Sequence, residues 1–566
     1  MDEAKKILRD DAVNRGTAFT QEERALLGLV GRLPSAVETL DQQARRSYAQ
    51  LQKQSTDLAK YIYLDSLHER NEVLYYRVIA DHLSELLPVV YDPTIGDAIE
   101  QWSQDYRQSR AVYLSIDHVD DIEVAFATLE LGPEDVDLIV CSDAEEILGI
   151  GDWGVNGTDI AVGKLAIYTA AAGINPSRVI AVNLDVGTSN EALLNDPFYL
   201  GNRHSRVRGE KYDKFIGTYL GTVEKLFPKA LLHFEDFGPS NARRMLVDHA
   251  DKYRIFNDDL QGTGAIVMAA VISGLKVTKQ TFADQRLVIF GAGTAGTGMA
   301  DQISAAMSRA GLSDDEARAR VWLIDRDGLV TDDMQDLPDY QQAYARPAHE
   351  VADWGGRPID LLTVVQHVRP TILIGTSTAH GAFTQDVVEA LSGGVERPIL
   401  LPLSNPTSRI EVMPQDAILW SKGQALMATG IPIKPVEYSG VTYRIGQCNN
   451  ALLYPGLGLG TIVSGARHVT DGMLLAAAVA VAGQVDVSER GASLLPDVEN
   501  LRASSATVAV AVAKAAADDG VATVAHDDLV QAVQDAMWLP VYPATPENGL
   551  ILDNSDRQVA DSPNGE

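Results

Sequence analysis

Seven short Val/Ile/Leu-rich runs, each stopping at a turn that holds Gly, Asp, Ser or Asn, constrain this chain more than any other feature. They read "VDLIVCSD", "VIAVNLDVG", "ALLHFEDF", "RLVIFGAG", "RVWLIDRDG", "PTILIGTS" and "PILLPLSN", and helical segments separate them. Continuous apolar runs, as opposed to alternating ones, are strands buried on both faces. Strands that alternate with helices build parallel sheets covered by those helices. The expected class is therefore α/β, and ligands are expected just beyond the carboxyl ends of the strands. From about residue 20 to 110 the rhythm differs: apolar residues recur at spacings of three and four between charges, closing at Pro88, which predicts a helical N-terminal domain. A chain of 566 residues, 46% hydrophobic, is too long for one compact core.

The run "QRLVIFGAGTAGTGMADQISAAM" places Gly291, Gly293 and Gly296 in G-x-G-x-x-G spacing between an apolar strand and a helical segment. Glycines there permit a tight turn and let a pyrophosphate approach backbone N–H groups at the positive end of a helix. Thr294 and Ala295 complete the turn, and a second strand ends at Asp325. This context predicts a dinucleotide site. Asp325 falls further downstream than the usual twenty or so residues, and "AGLSDDEARAR" is read as an insertion that lengthens the crossover. An acid at this strand end accepts bonds from ribose hydroxyls and repels a 2′-phosphate, favouring NAD over NADP, although Arg326 beside it weakens the inference.

The formal net charge of −31 opposes polyanions, so neither nucleic acid nor an anionic membrane is an expected partner. Cys141 and Cys448 are too few for a disulfide framework, and the N-terminus has neither a basic nor an apolar leader region; the expected setting is cytoplasmic and reducing. The apolar stretch 473–483 is shorter than the roughly 20 residues a bilayer demands and is read as a buried helix. No repeat is present, and residues 546–566 form a polar tail.

Two acid pairs stand where apolar runs stop: Glu235-Asp236 and Asp258-Asp259. Several hard oxygen donors beyond strand ends, in a chain with a nicotinamide site, suit Mg2+ or Mn2+; without a Cys/His cluster zinc is not expected. Such a pairing suggests a substrate carrying a hydroxyl and a carboxylate, with the ion acting as Lewis acid on the carbonyl that hydride loss creates. Each pair alone could equally be a helix cap.

"FEDF" followed by "FNDDLQGT" resembles the metal signature of the malic enzymes. The likeness runs over nearly the whole chain: "VVYDPTIG" at 89–96 is similar to the family's tyrosine motif, "DIAVGKLAIYTAAAGI" to its lysine motif, and "LSNPTSR" and "GQCNNALLYPGLGLG" to later blocks. The wording "ILGIGDWGVNG" and "NLDVGTSN" most resembles actinobacterial NAD-dependent malic enzymes and the related malolactic enzymes. The resemblance implies Lys164 as general base at the C2 hydroxyl, Tyr91 as general acid at C3 and Asp258 as an acid close to the lysine. It also implies Glu235, Asp236 and Asp259 as metal ligands, with Asn405, Asn449 and Asn450 at the substrate and Asn405 also near the nicotinamide ribose. L-malate is the implied substrate, and a homodimer or homotetramer the implied assembly.

One departure matters. Where the family usually has an arginine before the "GLGD" turn, this chain has Glu146; either Glu146 turns away or Arg110, Arg203, Arg206 or Arg208 compensates. The implied organisation is a helical domain 1–110, a substrate and metal domain 111–257 plus 451–545, and an NAD domain 258–450. Three activities fit: oxidative decarboxylation of malate to pyruvate, malolactic conversion with NAD retained, and a catalytically silent NAD-binding sensor. The first is the expected one.

Overall fold

The computed structural model describes residues 3–107 and 110–543, so the polar tail lies outside the described residues. The chain divides into two compact bodies: residues up to Phe237 together with those from Gln534 onward, and Gly238–Val533.

The first body opens with the expected helices, including Leu40–Leu51, Asp57–His68, Glu72–Asp81, Leu83–Val90 and Thr94–Gln101. Thr39, Thr56 and Asn71 cap three of them, each side chain accepting a bond from a first-turn N–H. Pro88 does not close the helical pattern as predicted: it sits inside Leu83–Val90, which runs on for two residues to deliver Tyr91. A proline removes one helix hydrogen bond, and the short helix tolerates it because Val89 and Val90 are buried beyond it. Four strands follow: β1 (Ala111–Ser115), β2 (Leu138–Ser142), β3 (Val179–Asp185) and β4 (Leu231–Phe234). They are parallel in the order β1-β3-β2-β4. β2 and β4 are buried at every residue, which is why their sequences are unbroken apolar runs. Helix Thr158–Ile167 lies against β2 and β3.

The second body opens with the helix Pro239–His249 and β5 (Ile255–Asn257), followed by a π-helical turn Asp258–Gly262 and the helix Thr263–Thr278. Its large sheet comprises β6 (Leu287–Phe290), β7 (Val321–Asp325), β8 (Gly328–Leu329), β9 (Ile372–Gly375), β10 (Ile399–Pro402) and β11 (Leu426–Thr429). A small hairpin, β12 (Val436–Tyr438) with β13 (Val441–Tyr443), then precedes the last strand, β14 (Gly446–Gln447). The order is β14-β11-β10-β9-β6-β7-β8, parallel except for β8. The chain leaves β6 towards β7 and returns on the other side of β6 as β9, so the order reverses there, and such a reversal opens a crevice at the strand ends.

Helices Tyr454–Ser464, Asp471–Ala482 and Leu501–Asp518 complete this body. Gly456 and Gly460 let the first and last of these approach closely: a Cβ at either would stand 2.6 Å from a carbonyl oxygen, of Ser505 or Ala509. The 473–483 stretch is a helix with one buried face, while Val479 is 50% exposed. A longer apolar run, Asp258–Thr278, has the length and hydropathy of a membrane span, but 72% of its most apolar 18-residue stretch is buried within the protein, as in a core helix.

Candidate active site

In the first body, β4 carries Glu235 at its carboxyl end and the helix Thr158–Ile167 carries Lys164. Lys164 Nζ lies 2.9 Å from Glu235 Oε1, with both side chains almost fully buried. Tyr91 donates to the same oxygen at 3.2 Å, and the ammonium stands 5.1 Å from the centre of the tyrosine ring. Gly163 makes this approach possible, because a Cβ there would meet Ile95 Cδ1 at 2.4 Å and Val90 O at 3.1 Å. Behind the carboxylate, His233 Nε2 lies 2.7 Å from Glu235 Oε2, and Tyr168 Oη lies 2.8 Å from His233 Nδ1. Burial by itself would raise the Glu235 carboxyl; Lys164 first, then His233, outweigh it and hold the group below its ordinary range. The sequence reading missed His233 and Tyr168. The only signal was a polar ring in the apolar run "LLHF", where a satisfied core histidine is the ordinary outcome.

Asp236 is buried and adopts a left-handed backbone, φ 53°, a conformation uncommon outside glycine and often found where function fixes the chain. Its carbonyl accepts a bond from the backbone N–H of Glu146 at 3.2 Å. The Glu146 side chain is exposed, its carboxyl raised by partial desolvation and by Glu145 and Asp152. The four arginines considered as replacements are committed elsewhere in this body. Arg206 is buried and fork-bonded to Asp152 at 2.9 and 2.7 Å, and Arg208 pairs with Glu145. Arg110 pairs with Asp11 and Glu72, and Arg203 donates to the carbonyls of Asp196, Pro197 and Tyr199.

In the second body, Asp258 is buried and Asp259 partly buried, in the π-helical turn. Asn257 fixes the turn by accepting from Leu260 N at 2.9 Å. Gly262 is obligatory: a Cβ would stand 1.9 Å from Asp258 Oδ1. Asn450 Nδ2 donates to Asp258 Oδ2 at 3.1 Å and to Thr263 Oγ1 at 3.0 Å, so the asparagine and the acid that the resemblance implied form one cluster. Asn449 caps the following turn through Ala451 N at 2.9 Å. Carboxylate oxygens such as those of Glu235, Asp236 and Asp259 are the donors a hard divalent cation takes, and His233 orients one of them, as outer partners of ligands commonly do.

The glycine turn joins β6 to the helix Thr294–Arg309, with Thr294, Ala295 and Gly296 in its first turn. Gly291 has φ 111°, and a Cβ at Gly296 would stand 2.2 Å from Gly291 O, so the loop closes only on glycine. A cavity of about 590 Å3 opens at the strand reversal, lined by Gly291, Gly293, Asp325 and residues 376–379. Asp325 accepts from Gln341 Nε2 at 2.7 Å and from Arg326 N at 2.9 Å, so its carboxylate is held in place. Asn405 is exposed on the turn after β10, beside Gly430.

A residue absent from the sequence reading ties these turns together. Glu411 is fully buried and accepts from Ser377 N at 2.8 Å, Ser377 Oγ at 3.0 Å, Ser404 Oγ at 2.5 Å and Ser404 N at 3.3 Å. The turn after β9 and the Asn405 turn after β10 thus share one carboxylate. In the sequence it is an isolated acid beyond "SNPTSR", without a pattern to mark it.

The family model described as malic enzyme, N-terminal domain, matches residues 68–253, and that described as malic enzyme, NAD binding domain, matches residues 260–517. The chain is 57% identical over 531 residues to a putative malate oxidoreductase [NAD] of Mycobacterium tuberculosis, spanning 94% of this chain and 97% of that one. It is 56% identical over 541 residues to NAD-dependent malic enzyme 3 of Bacillus subtilis, spanning 95% and 96%. It is 47% identical over 537 residues to the malolactic enzyme of Leuconostoc mesenteroides, spanning 95% and 99%.

Proposed function

This chain belongs to the malic enzyme family, and from that premise we propose that it oxidatively decarboxylates L-malate to pyruvate and CO2 while reducing NAD. The observation that carries the reading is the buried contact of Lys164 with Glu235 and Tyr91, an ammonium and a phenol brought to one carboxylate. Relatives named as NAD-dependent malic enzymes or malate oxidoreductases share 56–57% identity, against 47% for the malolactic enzyme, which supports release of NADH over its retention.

In this reading the glycine turn would hold NAD, which supplies a hydride acceptor when bound, and Glu235, Asp236 and Asp259 would hold a Mg2+ or Mn2+, which would supply Lewis-acid chemistry. Lys164 takes the proton of the C2 hydroxyl, Glu235 fixing the ammonium that results. Tyr91, a neutral donor in a dry setting, protonates C3 after CO2 departs. Asp258, joined to Asn450, positions the groups around the base. Asn405, Asn449 and Asn450 bind the substrate carboxylates as neutral donors, a task that suits a site where the four arginines considered are tied elsewhere. Asp325, anchored by Gln341, would accept bonds from the adenosine ribose hydroxyls, which favours NAD. The assembly is a homodimer or homotetramer, and the setting cytoplasmic.

Incubating the enzyme with malate, NAD and Mn2+ tests this. Net NADH with pyruvate is the expected outcome. Lactate without net NADH assigns the malolactic reaction, and NAD binding without turnover assigns a silent sensor.

A further inference from the structure

A second large cavity, about 680 Å3, lies in the second body and shares no lining residue with the cofactor cavity. Its rim carries Lys276, Lys279, Arg397, Arg444 and Arg490. Against them stand two acids, Asp486 and Glu489, although the whole chain has 78 acidic residues to 47 Lys and Arg. Cations therefore gather here against the composition of the molecule. None of the five makes an ion pair with a carboxylate among the described residues. Their bonds are to carbonyl oxygens instead: Lys276 Nζ to Ala482 O at 2.7 Å, Arg397 Nε to Gln424 O at 3.0 Å and Arg490 Nη2 to Gly423 O at 3.4 Å.

These bonds fix where Lys276, Arg397 and Arg490 stand while leaving donors on each. Gly423 has φ 72°, and a Cβ there would meet Tyr443 Oη at 2.2 Å and Arg490 Nη2 at 3.2 Å, so the glycine holds ring and guanidinium together. The segment bearing Arg490 is pinned to the sheet edge, since Arg444 N donates to Gly491 O at 2.8 Å. Burial first, and then the field of Arg490, lower the Arg397 guanidinium, with Tyr443 and Glu396 acting the other way. The floor is apolar: Ile418, Leu426, Met427 and the buried ring of Tyr443.

We propose that this cavity binds an organic polyphosphate, its phosphates on the Arg397, Arg490 and Lys279 rim and its apolar or aromatic group on the Tyr443 floor. Guanidinium forks match phosphate oxygens two at a time, and a mutually repelling, carbonyl-anchored pair gains most from a dianion placed between its members. The volume is that of a small-molecule site. Helix Thr263–Thr278 begins next to Asp258 and Asp259 and ends at this rim.

Equilibrium dialysis of the full-length enzyme with radiolabelled ATP, at saturating NAD and Mn2+ so that the cofactor cavity is filled, tests the assignment. Saturable ATP binding that weakens with added salt is expected, with affinity falling at least about tenfold in the Arg397→Glu/Arg490→Glu double variant. Malate-dependent NADH formation without ATP is expected to stay within about twofold of wild type. Inorganic pyrophosphate is expected to bind more weakly than ATP, having no group for the floor. No ATP bound at saturating NAD, or equal binding by wild type and variant, overturns the site; pyrophosphate binding as tightly as ATP overturns the apolar subsite. If the double variant loses its melting transition, Lys279→Glu on the exposed rim takes its place. A loss of affinity of about threefold or more then supports the site, and unchanged affinity overturns it.

Discussion

At the scale of the residue, burial decides chemistry. Lys164 could have been an amphipathic-helix lysine reaching solvent, but it is 2% exposed and its ammonium ends on Glu235. Replacing it with alanine is expected to lower kcat for malate oxidation by about 10^2- to 10^4-fold, the range for a lost general base. NAD affinity, measured by protein fluorescence quenching, should be retained; turnover near wild type would remove Lys164 from the mechanism. Glu411 acts at one remove, through the serines of two turns. Glu411→Gln puts an amide N–H2 where a carboxylate received donors, a mismatch of about 1–3 kcal/mol. The expected result is a rise in KM for NAD of about tenfold, with kcat changed less. An unchanged KM with a lowered melting temperature would make the residue a stabiliser of the fold alone. The apolar surroundings "AVGKLAIYTA" made the burial of Lys164 legible and the family resemblance implied its role; Glu411 was not legible, since its four donors come from turns far apart in the chain.

Elements carry constraints that individual residues do not. The π-helical turn Asp258–Gly262 brings two acids to the start of a core helix, and Gly262→Ala drives a Cβ into the Asp258 carboxylate. Malate turnover in that variant is expected to fall at least about 100-fold, as a displacement of about 1 Å at a site can cost. Circular dichroism should report a folded chain; full activity would show the turn to be plastic. Asp159, on the lysine helix, accepts from Tyr61 Oη at 2.9 Å and Trp102 Nε1 at 3.1 Å. Burial pushes its carboxyl up to about 6, the tyrosine bond offsetting only part. The folded chain therefore keeps this proton up to about pH 6 while the unfolded chain releases it near 3.9. Rising pH between those values costs the folded state stability, and above them the cost is constant. Asp159→Asn, which cannot titrate, should gain melting temperature relative to wild type as pH rises from about 4 to about 6 and run parallel beyond. A difference that does not vary with pH would contradict the shift. The seven apolar runs were all legible as strands. β1, with an exposed Tyr113 in its middle, the two- or three-residue strands β5, β8, β12, β13 and β14, and the four-residue β11 were not, because an edge strand is interrupted by exposed residues and so short a strand is not a run that stands out in the sequence.

At the scale of the whole molecule, the proposed ligands Glu235 and Asp236 lie in the first body and Asp259 in the second. Removal of divalent cations with a chelator is expected to abolish malate oxidation, with Mn2+ restoring it and NAD affinity little changed; turnover that survives chelation would remove the ion from the reaction. The amino-acid sequence by itself determined the α/β class, the glycine turn, the acid pairs and the lysine and tyrosine segments. The first three are local patterns whose meaning follows from backbone geometry and from the fact that buried parallel strands need unbroken apolar runs; the lysine and tyrosine segments took their meaning from their resemblance to the malic enzymes' motifs. Only tertiary structure decided that Lys164 and Tyr91 share one oxygen of Glu235, with His233 on the other. It alone tied Glu411 to the turns after β9 and β10, left the Glu146 side chain exposed and gathered five cations of an acidic chain around one cavity. The physical reason is common to all: a buried charge is stable only where partners reach it in three dimensions, and those partners are drawn from segments whose meeting no linear spacing records.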